Sequence, residues 1–266
     1  MIAVVAVVLA DILDGGTILG LINISAMILV LGGTMGATAM STPMVDLRRV
    51  PAFLGKVLRP KGTNIDSTID DIAALAEVAR REGLLRLEDE LGRRPVTEFL
   101  QRGVQLIVDG ADEDRIRLMM EQEVTIYEER ELTGATFFET AGGFSPTLGI
   151  IGTVVGLISV LSNLSDVQKL APSIATAFTA TLWGIATANL FWLPIANRLK
   201  ANLKHEVQAR EMIIEGCIAI AAGQNPRLIS EQLAVYRMPG KPGKGKKADA
   251  AQEGEEQPEL QQVVGR

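Results

Sequence analysis

Cysteine and histidine occur once each in this chain, as Cys217 and His205, and aromatic residues make up only 4% of its 266 positions. A single cysteine excludes an intrachain disulfide and reads as a small buried apolar residue rather than a reactive thiol. A single histidine has no companion cluster from which to build a metal centre or a general base, so His205 is expected on a solvated helix face. The glycine-rich "GGTMG" at residues 32–36 lacks the lysine of a phosphate loop, and no nucleophile is followed by a base at usable spacing. An enzyme is therefore the least fitting class, and neither a metal, a cofactor nor a nucleic-acid partner is expected.

Charge is missing from long runs. Residues 22–40, 144–162 and 173–195 contain no Asp, Glu, Lys, Arg or His, and each approaches the ~20 residues that cross a bilayer's hydrocarbon core. Residues 1–13 form a shorter apolar run with Asp11 near its end. No Lys or Arg precedes Arg48, so this run lacks the basic start of a signal peptide and reads as an abbreviated first span. Asp11 and Asp14 are expected as solvated turn carboxylates, with Gly15 and Gly16 closing a hairpin onto the second span.

Apart from Lys169, every Lys and Arg lies between Arg48 and Arg130 or from Arg198 onward. The positive-inside rule then puts residues 45–140 and the C-terminal part in the cytoplasm, with the 14–21 turn and the 163–172 loop outside. The expectation is an all-α, multi-pass protein with four transmembrane helices and a cytoplasmic helical domain. Five regions follow: a first transmembrane hairpin (1–44), the cytoplasmic helical domain (45–140), a second hairpin (141–197), a helical C-terminal region (198–237) and a disordered charged tail (238–266). In that tail, Lys241, Lys244, Lys246 and Lys247 could touch anionic lipid, although a solubilising role is the simpler reading.

Within the cytoplasmic part, Pro51 and Pro60 break an amphipathic connector. Asp66 or Ser67 is placed to cap a helix running to Arg81 that Gly83 stops, and a short helix spans Leu84 to Leu91. Another covers Val96 to Val108 and ends at Gly110. No breaker then appears until Gly134, which predicts a long helix feeding the third span, and the fourth span is expected to continue inward past Pro194.

The membrane runs carry small residues at helical spacing. Gly149, Gly152, Thr153, Gly156 and Val160 share one face of the third span, and Ser173, Ala177, Ala180, Thr181, Gly184, Ala188 and Asn189 one face of the fourth. Tight helix packing alone would explain the glycines. Thr153 and Thr181, however, fall at matching depths, where hydroxyls can coordinate a cation or water. If ions pass, the titratable group must come from a partner helix, because these spans supply none. The glycine face then reads as a smooth surface for that partner. Pro146 and Pro194 lie at one level near the cytoplasmic side, with Trp192 as an interfacial anchor. Spacing leaves open whether they are structural or functional hinges.

These residues resemble a known family, the flagellar motor stator subunits MotA and PomA. The resemblance rests on "LVLGGTMGATAMSTP" (29–43), "ARREGLLRLEDE" (79–90), "FSPTLGIIGTVVGLISVLSNL" (144–164), "IATAFTATLWGIATANLFWLPIANRLK" (174–200) and "GQNPRLISEQL" (223–233). It implies a ring of five subunits in the bacterial inner membrane, both termini cytoplasmic, around a dimer of a MotB/PomB-type partner. That partner would bring one span with an ion-carrying aspartate and a peptidoglycan-binding domain. Carried over by position, Pro146 and Pro194 match mechanistic prolines and Thr181 a pore-lining threonine. Arg80, Arg81, Glu88 and Asp89 match charges that engage the rotor protein FliG, with Glu90 beside them. The transported ion is a proton or sodium. Proton-type relatives tend to have alanine at the position of Thr153 and sodium-type relatives threonine, which tilts the choice toward sodium; Ala180 beside Thr181 adds no further hydroxyl. The related ExbB/TolQ energisers of outer-membrane transport and envelope integrity are the alternative. They usually have three spans and no rotor-facing domain, and the additional hairpin and "ARREGLLRLEDE" argue against them.

Overall fold

The computed structural model describes residues 9, 13, 22–59, 62–162 and 167–237. The first span, the turn with Asp11 and Asp14, and the charged tail lie outside the described residues, apart from two isolated positions of that span. Everything with regular structure among the described residues is helical.

Two units emerge: the described residues through Gly62 with Ile126–His205, and Thr63–Thr125 with the described residues from Glu206 onward. Residues 45–62 and 126–140 thus group with the apolar spans rather than with the cytoplasmic helical part. Three helices among the described residues are long and apolar enough to cross a membrane, within Ile24–Ser41, Glu113–Ser162 and Leu170–Ala221.

In the first unit, α1 (Ile24–Ser41) starts at Asn23, whose side chain accepts from the Ala26 N–H, and widens into a π-helical turn at Ile28–Gly32. The chain then makes α2 (Met44–Leu47) and α3 (Val50–Leu58). Pro60 lies outside the described residues, and the connector is interrupted between Leu47 and Val50, just ahead of Pro51. Pro51 occupies the first turn of α3, where its missing N–H would have had no helical acceptor. Phe53 of α3 is buried against Gly134, where an added Cβ would come within 2.5 Å of its ring. Phe137, Phe138, Ala141, Trp192, Ala196 and Leu199 complete that core.

The long helix α7 (Glu113–Ser162) runs unbroken through Pro146, as the absence of a breaker before Gly134 predicts. After it come α8 (Val167–Thr187), a π-helical turn Ala188–Trp192, and α9 (Leu193–Ala221). Pro194 therefore does not terminate a helix. It stands in the first turn of α9, and the wider turn before it suits a residue with no N–H to give. Trp192 is also not an interfacial anchor: it is 7% exposed and stacks on Phe138 with ring centroids 6.3 Å apart.

In the second unit, α4 (Ile65–Glu82) is capped by Asn64, whose carboxamide accepts from the Ser67 N–H, so Asp66 and Ser67 lie inside the first turn. Asn64 has the extended backbone a cap requires, and its side chain reaches the same orphan donors. Gly83 ends α4 with φ 92°, a conformation that only glycine adopts at little cost. Next come α5 (Arg86–Leu91) and α6 (Glu98–Val108), the latter capped by Thr97. Then α10 (Pro226–Leu233) packs back on α4.

Ile72, Leu75, Leu100, Val104, Ile116, Met212 and Ile213 form the core around Cys217. Arg117 hydrogen-bonds Glu215 at 2.8 Å, and Arg102 pairs with Glu123. Burial pushes the Cys217 thiol up to about 12 from 9.0. Its contribution to stability is therefore complete below pH 9 and is lost as pH rises toward 12, because only the unfolded thiol ionises in that window. We expect no maleimide labelling of the native protein at pH 7.5 and rapid labelling after denaturation; labelling of the native state would contradict this burial.

Candidate functional site

The site is built on an antiparallel seam between α7 and α8. Along α7, Gly142, Ser145, Gly149, Gly152 and Gly156 recur at alternating intervals of three and four, which keeps them on one stripe of a helix. The glycines among them meet the following chain closely, Gly149 and Gly156 at its backbone and Gly142 and Gly152 first at its side chains. A Cβ on Gly142 would lie 2.7 Å from Leu193, on Gly149 3.0 Å from the Ala180 carbonyl, on Gly152 2.6 Å from the Ala180 methyl, and on Gly156 2.7 Å from the Ala177 methyl. From the other side, a Cβ on Gly184 would lie 2.8 Å from the Ser145 carbonyl. The glycine face is thus filled by the chain's own fourth span and is not the open surface for a partner helix that spacing alone suggests. What remains outward is the flank, with Ile150, Ile151, Val154, Val155 and Ile158 exposed.

Close approach of the backbones brings hydroxyls into contact. Thr153 and Thr181 hydrogen-bond each other directly through Oγ1. Thr153 Oγ1 also lies 3.2 Å from the carbonyls of Gly149 and Ala177, and Thr181 Oγ1 lies 3.4 Å from the Gly149 carbonyl. Two hydroxyl and two carbonyl oxygens therefore converge between two stretches, 144–162 and 173–195, that carry no formal charge. Such an all-oxygen set suits a hard cation or a water, and it offers no group that titrates. Both threonines are half-buried rather than sealed inside the seam.

At the other end of the seam, Pro146 is half-buried inside α7 and Pro194 is exposed in the first turn of α9. Thr147 Oγ1 donates to the Phe144 carbonyl at 2.7 Å, next to the point where Pro146 has no N–H. Sequence reasoning missed Ser145, although it stands directly before that proline in a run otherwise made of glycine, threonine and apolar residues. It also missed Asn23, whose amide donates to Thr176 Oγ1 at 2.8 Å and ties α1 to α8.

The charged positions lie in the second unit, around the turn from α4 to α5. Arg80, Arg81, Glu88 and Asp89 are exposed and Glu90 is half-buried. Arg81 pairs with Glu77 at 2.6 Å, Asp89 with Arg86 at 2.6 Å, and Glu90 with Arg93 and Arg94 at 3.2 and 3.3 Å. Among the described residues Arg80 and Glu88 have no side-chain hydrogen bond or ion pair, which leaves both charges available to another molecule. Leu84 and Leu85 stand exposed between them.

Comparison with known proteins bears on both regions. Residues 92–212 match the MotA/TolQ/ExbB proton channel family. The chain is 37% identical over 238 residues to Motility protein A of Bacillus subtilis (strain 168), covering 89% of this chain and 87% of that protein. It is 33% identical over 228 residues to Chemotaxis protein PomA of Vibrio alginolyticus, covering 85% and 88%. Among solved structures, a chain of the flagellar MotAB stator complex from Bacillus subtilis superposes with a TM-score of 0.84 at 36% identity, covering 94% of this chain and 96% of that one.

Proposed function

The chain belongs to the MotA/TolQ/ExbB proton channel family, in its MotA/PomA branch of flagellar stator subunits, and from that membership we propose how its geometry turns ion flow into torque. It is a torque-generating subunit that assembles with a MotB-type partner in the membrane. In our reading, five copies surround a dimer of that partner in the bacterial inner membrane, each with four spans and both termini in the cytoplasm. The partner's single span supplies the aspartate that residues 144–162 of α7 and the whole of α8 lack. A proton or sodium ion passes Thr153 and Thr181, neutralises that carboxylate and is released inward past Pro146 and Pro194. The convergence of four neutral oxygens at Thr153 and Thr181 is the observation that carries this reading. No catalysis of bond-making and no resident cofactor is needed; the ion is the cargo. An ExbB/TolQ-type energiser would use the same ion step, but the relatives matched over most of this chain are motility proteins.

The direct test is to express the chain with its one-span partner in a strain lacking its own stators and to record swimming speed across sodium concentrations at fixed pH. Speed that saturates with sodium identifies the ion as sodium; a flat response identifies the proton; no swimming under any ion sinks the reading.

In the same proposal, ring rotation carries Arg80 and Glu88 across charges of FliG. Exposed ion pairs are individually weak and fast to release, which suits stepping contacts. Reversing either charge, Arg80→Glu or Glu88→Lys, is expected to lower swimming speed at least about threefold while the complex still accumulates in the membrane, because unscreened like charges repel at close range. Unchanged motility in both variants would remove the rotor assignment and leave the ion pathway untouched.

A further inference from the structure

We propose that Ser145 and Thr187 form a hydroxyl clip that positions the Pro146 segment of α7 against the π-helical turn leading to Pro194; the proposal rests on the stator reading. Ser145 has no exposed surface, and its Oγ donates to the Gly184 carbonyl at 3.0 Å across the seam. The same oxygen lies 2.7 Å from Thr187 Oγ1, which itself lies 2.7 Å from the Trp183 carbonyl one turn back on its own helix. Ser145 immediately precedes Pro146, and Thr187 immediately precedes the π-helical turn Ala188–Trp192. The clip therefore joins two of the places where the α-helical ladder of these spans is altered, Pro172 inside α8 being another. Simple packing does not require it: alanine serves the same stripe at Ala177 and Ala180, and a buried hydroxyl is unfavourable unless it is bonded.

Proton counting shows why the contact can open and close. Two hydroxyl protons serve the Gly184 carbonyl, the Trp183 carbonyl and Ser145 Oγ. With the clip closed, either hydroxyl can donate across the contact: if Thr187 donates to Ser145, Ser145 donates to Gly184, and if Ser145 donates to Thr187, Thr187 donates to Trp183. When the segments separate, Thr187 donates to Trp183 and Ser145 falls back on a carbonyl of its own helix, as serine does in helix interiors. Neither hydroxyl is left unsatisfied in either state, so the clip fixes register without welding the helices. It is eight residues along α7 from Thr153, about 12 Å, which separates it from the oxygens proposed to meet the ion.

The test uses the full chain with its one-span partner in a strain lacking stators, with rotation speed measured against the concentration of the driving ion. Ser145→Ala and Thr187→Val are each expected to accumulate at wild-type level and to lower maximal speed about three- to tenfold, as loss of a buried hydrogen bond predicts. The half-saturating ion concentration should stay unchanged. The double variant should be no slower than the slower single one, and Thr187→Ser, which keeps the hydroxyl, should restore speed. If Ser145→Ala does not accumulate, Ser145→Cys keeps the volume with a weaker donor and is read in its place. A shifted half-saturation, additive losses, unaltered speed, or loss of assembly in Thr187→Val would each overturn the clip. Failure of the wild-type chain to drive rotation would overturn the stator reading and the clip with it, which keeps the two failures distinct.

Discussion

Replacing Gly184 by valine is expected to abolish motility and to deplete the subunit from the membrane. The first added carbon would lie 2.8 Å from the Ser145 carbonyl, 2.9 Å from Gly149 Cα and 3.2 Å from Gly149 nitrogen. All three are backbone atoms, so no side-chain rotation relieves the contact and the helices must part. Overpacking of a tight interface costs about 1–3 kcal/mol in itself. Separation would also break the Ser145 donation to Gly184 and the Thr153–Thr181 contact, each worth about 0.5–1.5 kcal/mol. The total is a large fraction of the about 5–15 kcal/mol that holds a typical domain together.

Milder seam variants provide a graded check. At Gly152 the intruding neighbour is the Ala180 methyl at 2.6 Å, a side chain, with Leu29 next at 3.4 Å. Gly152→Ala should impair assembly, and adding Ala180→Gly should recover it, whereas no second change can rescue Gly184→Val. Gly55, inside α3, meets nothing within 4 Å, so Gly55→Ala should be neutral or stabilising by up to about 1 kcal/mol. Membrane abundance and the unfolding midpoint in detergent measure all four; normal abundance of Gly184→Val would show that the seam is not closed in the assembled protein.

These contacts also show what could be read from residues alone. Helix ends were legible where one residue type carries the cause: Gly83 and Gly110 stop helices because both have the positive φ that glycine accepts. The small stripes on the third and fourth spans were legible because their spacing follows the helical period. What they meet was not legible. A run such as "GTVVG" announces a close neighbour without naming it, and a partner helix and the chain's own α8 satisfy it equally. Proline breaks a helix interior but is at home in a first turn, which is where Pro51 and Pro194 stand, and the π-helical turn that precedes α9 leaves no local signature. Ser145 needs the Gly184 carbonyl, 39 positions away, to be meaningful. The Arg117–Glu215 pair spans 98 positions and was equally invisible.

Thr181→Val is expected to leave the subunit assembled while removing most ion-driven rotation. Valine matches threonine in shape, so the seam at Gly149, whose added Cβ would lie 3.2 Å from Thr181 Cα, stays filled. Lost are the hydroxyl contact with Thr153 and the approach to the Gly149 carbonyl. A hydrogen bond or ligand bond to a charged species contributes about 1.5–3 kcal/mol, so speed at subsaturating ion should fall roughly ten- to hundredfold. Thr181→Ser keeps the oxygen and should retain most of the speed. Thr153→Ala then separates the two cargoes. For sodium, an oxygen ligand is lost, and the half-saturating concentration should rise about tenfold at similar maximal speed. For a proton, which needs only a relay of water or hydroxyl, Thr181 with the carbonyls of Gly149 and Ala177 suffices and the variant should swim normally at any sodium concentration. Wild-type speed in Thr181→Val would overturn the assignment of this oxygen cluster as the ion path, and the seam would then be read as packing alone.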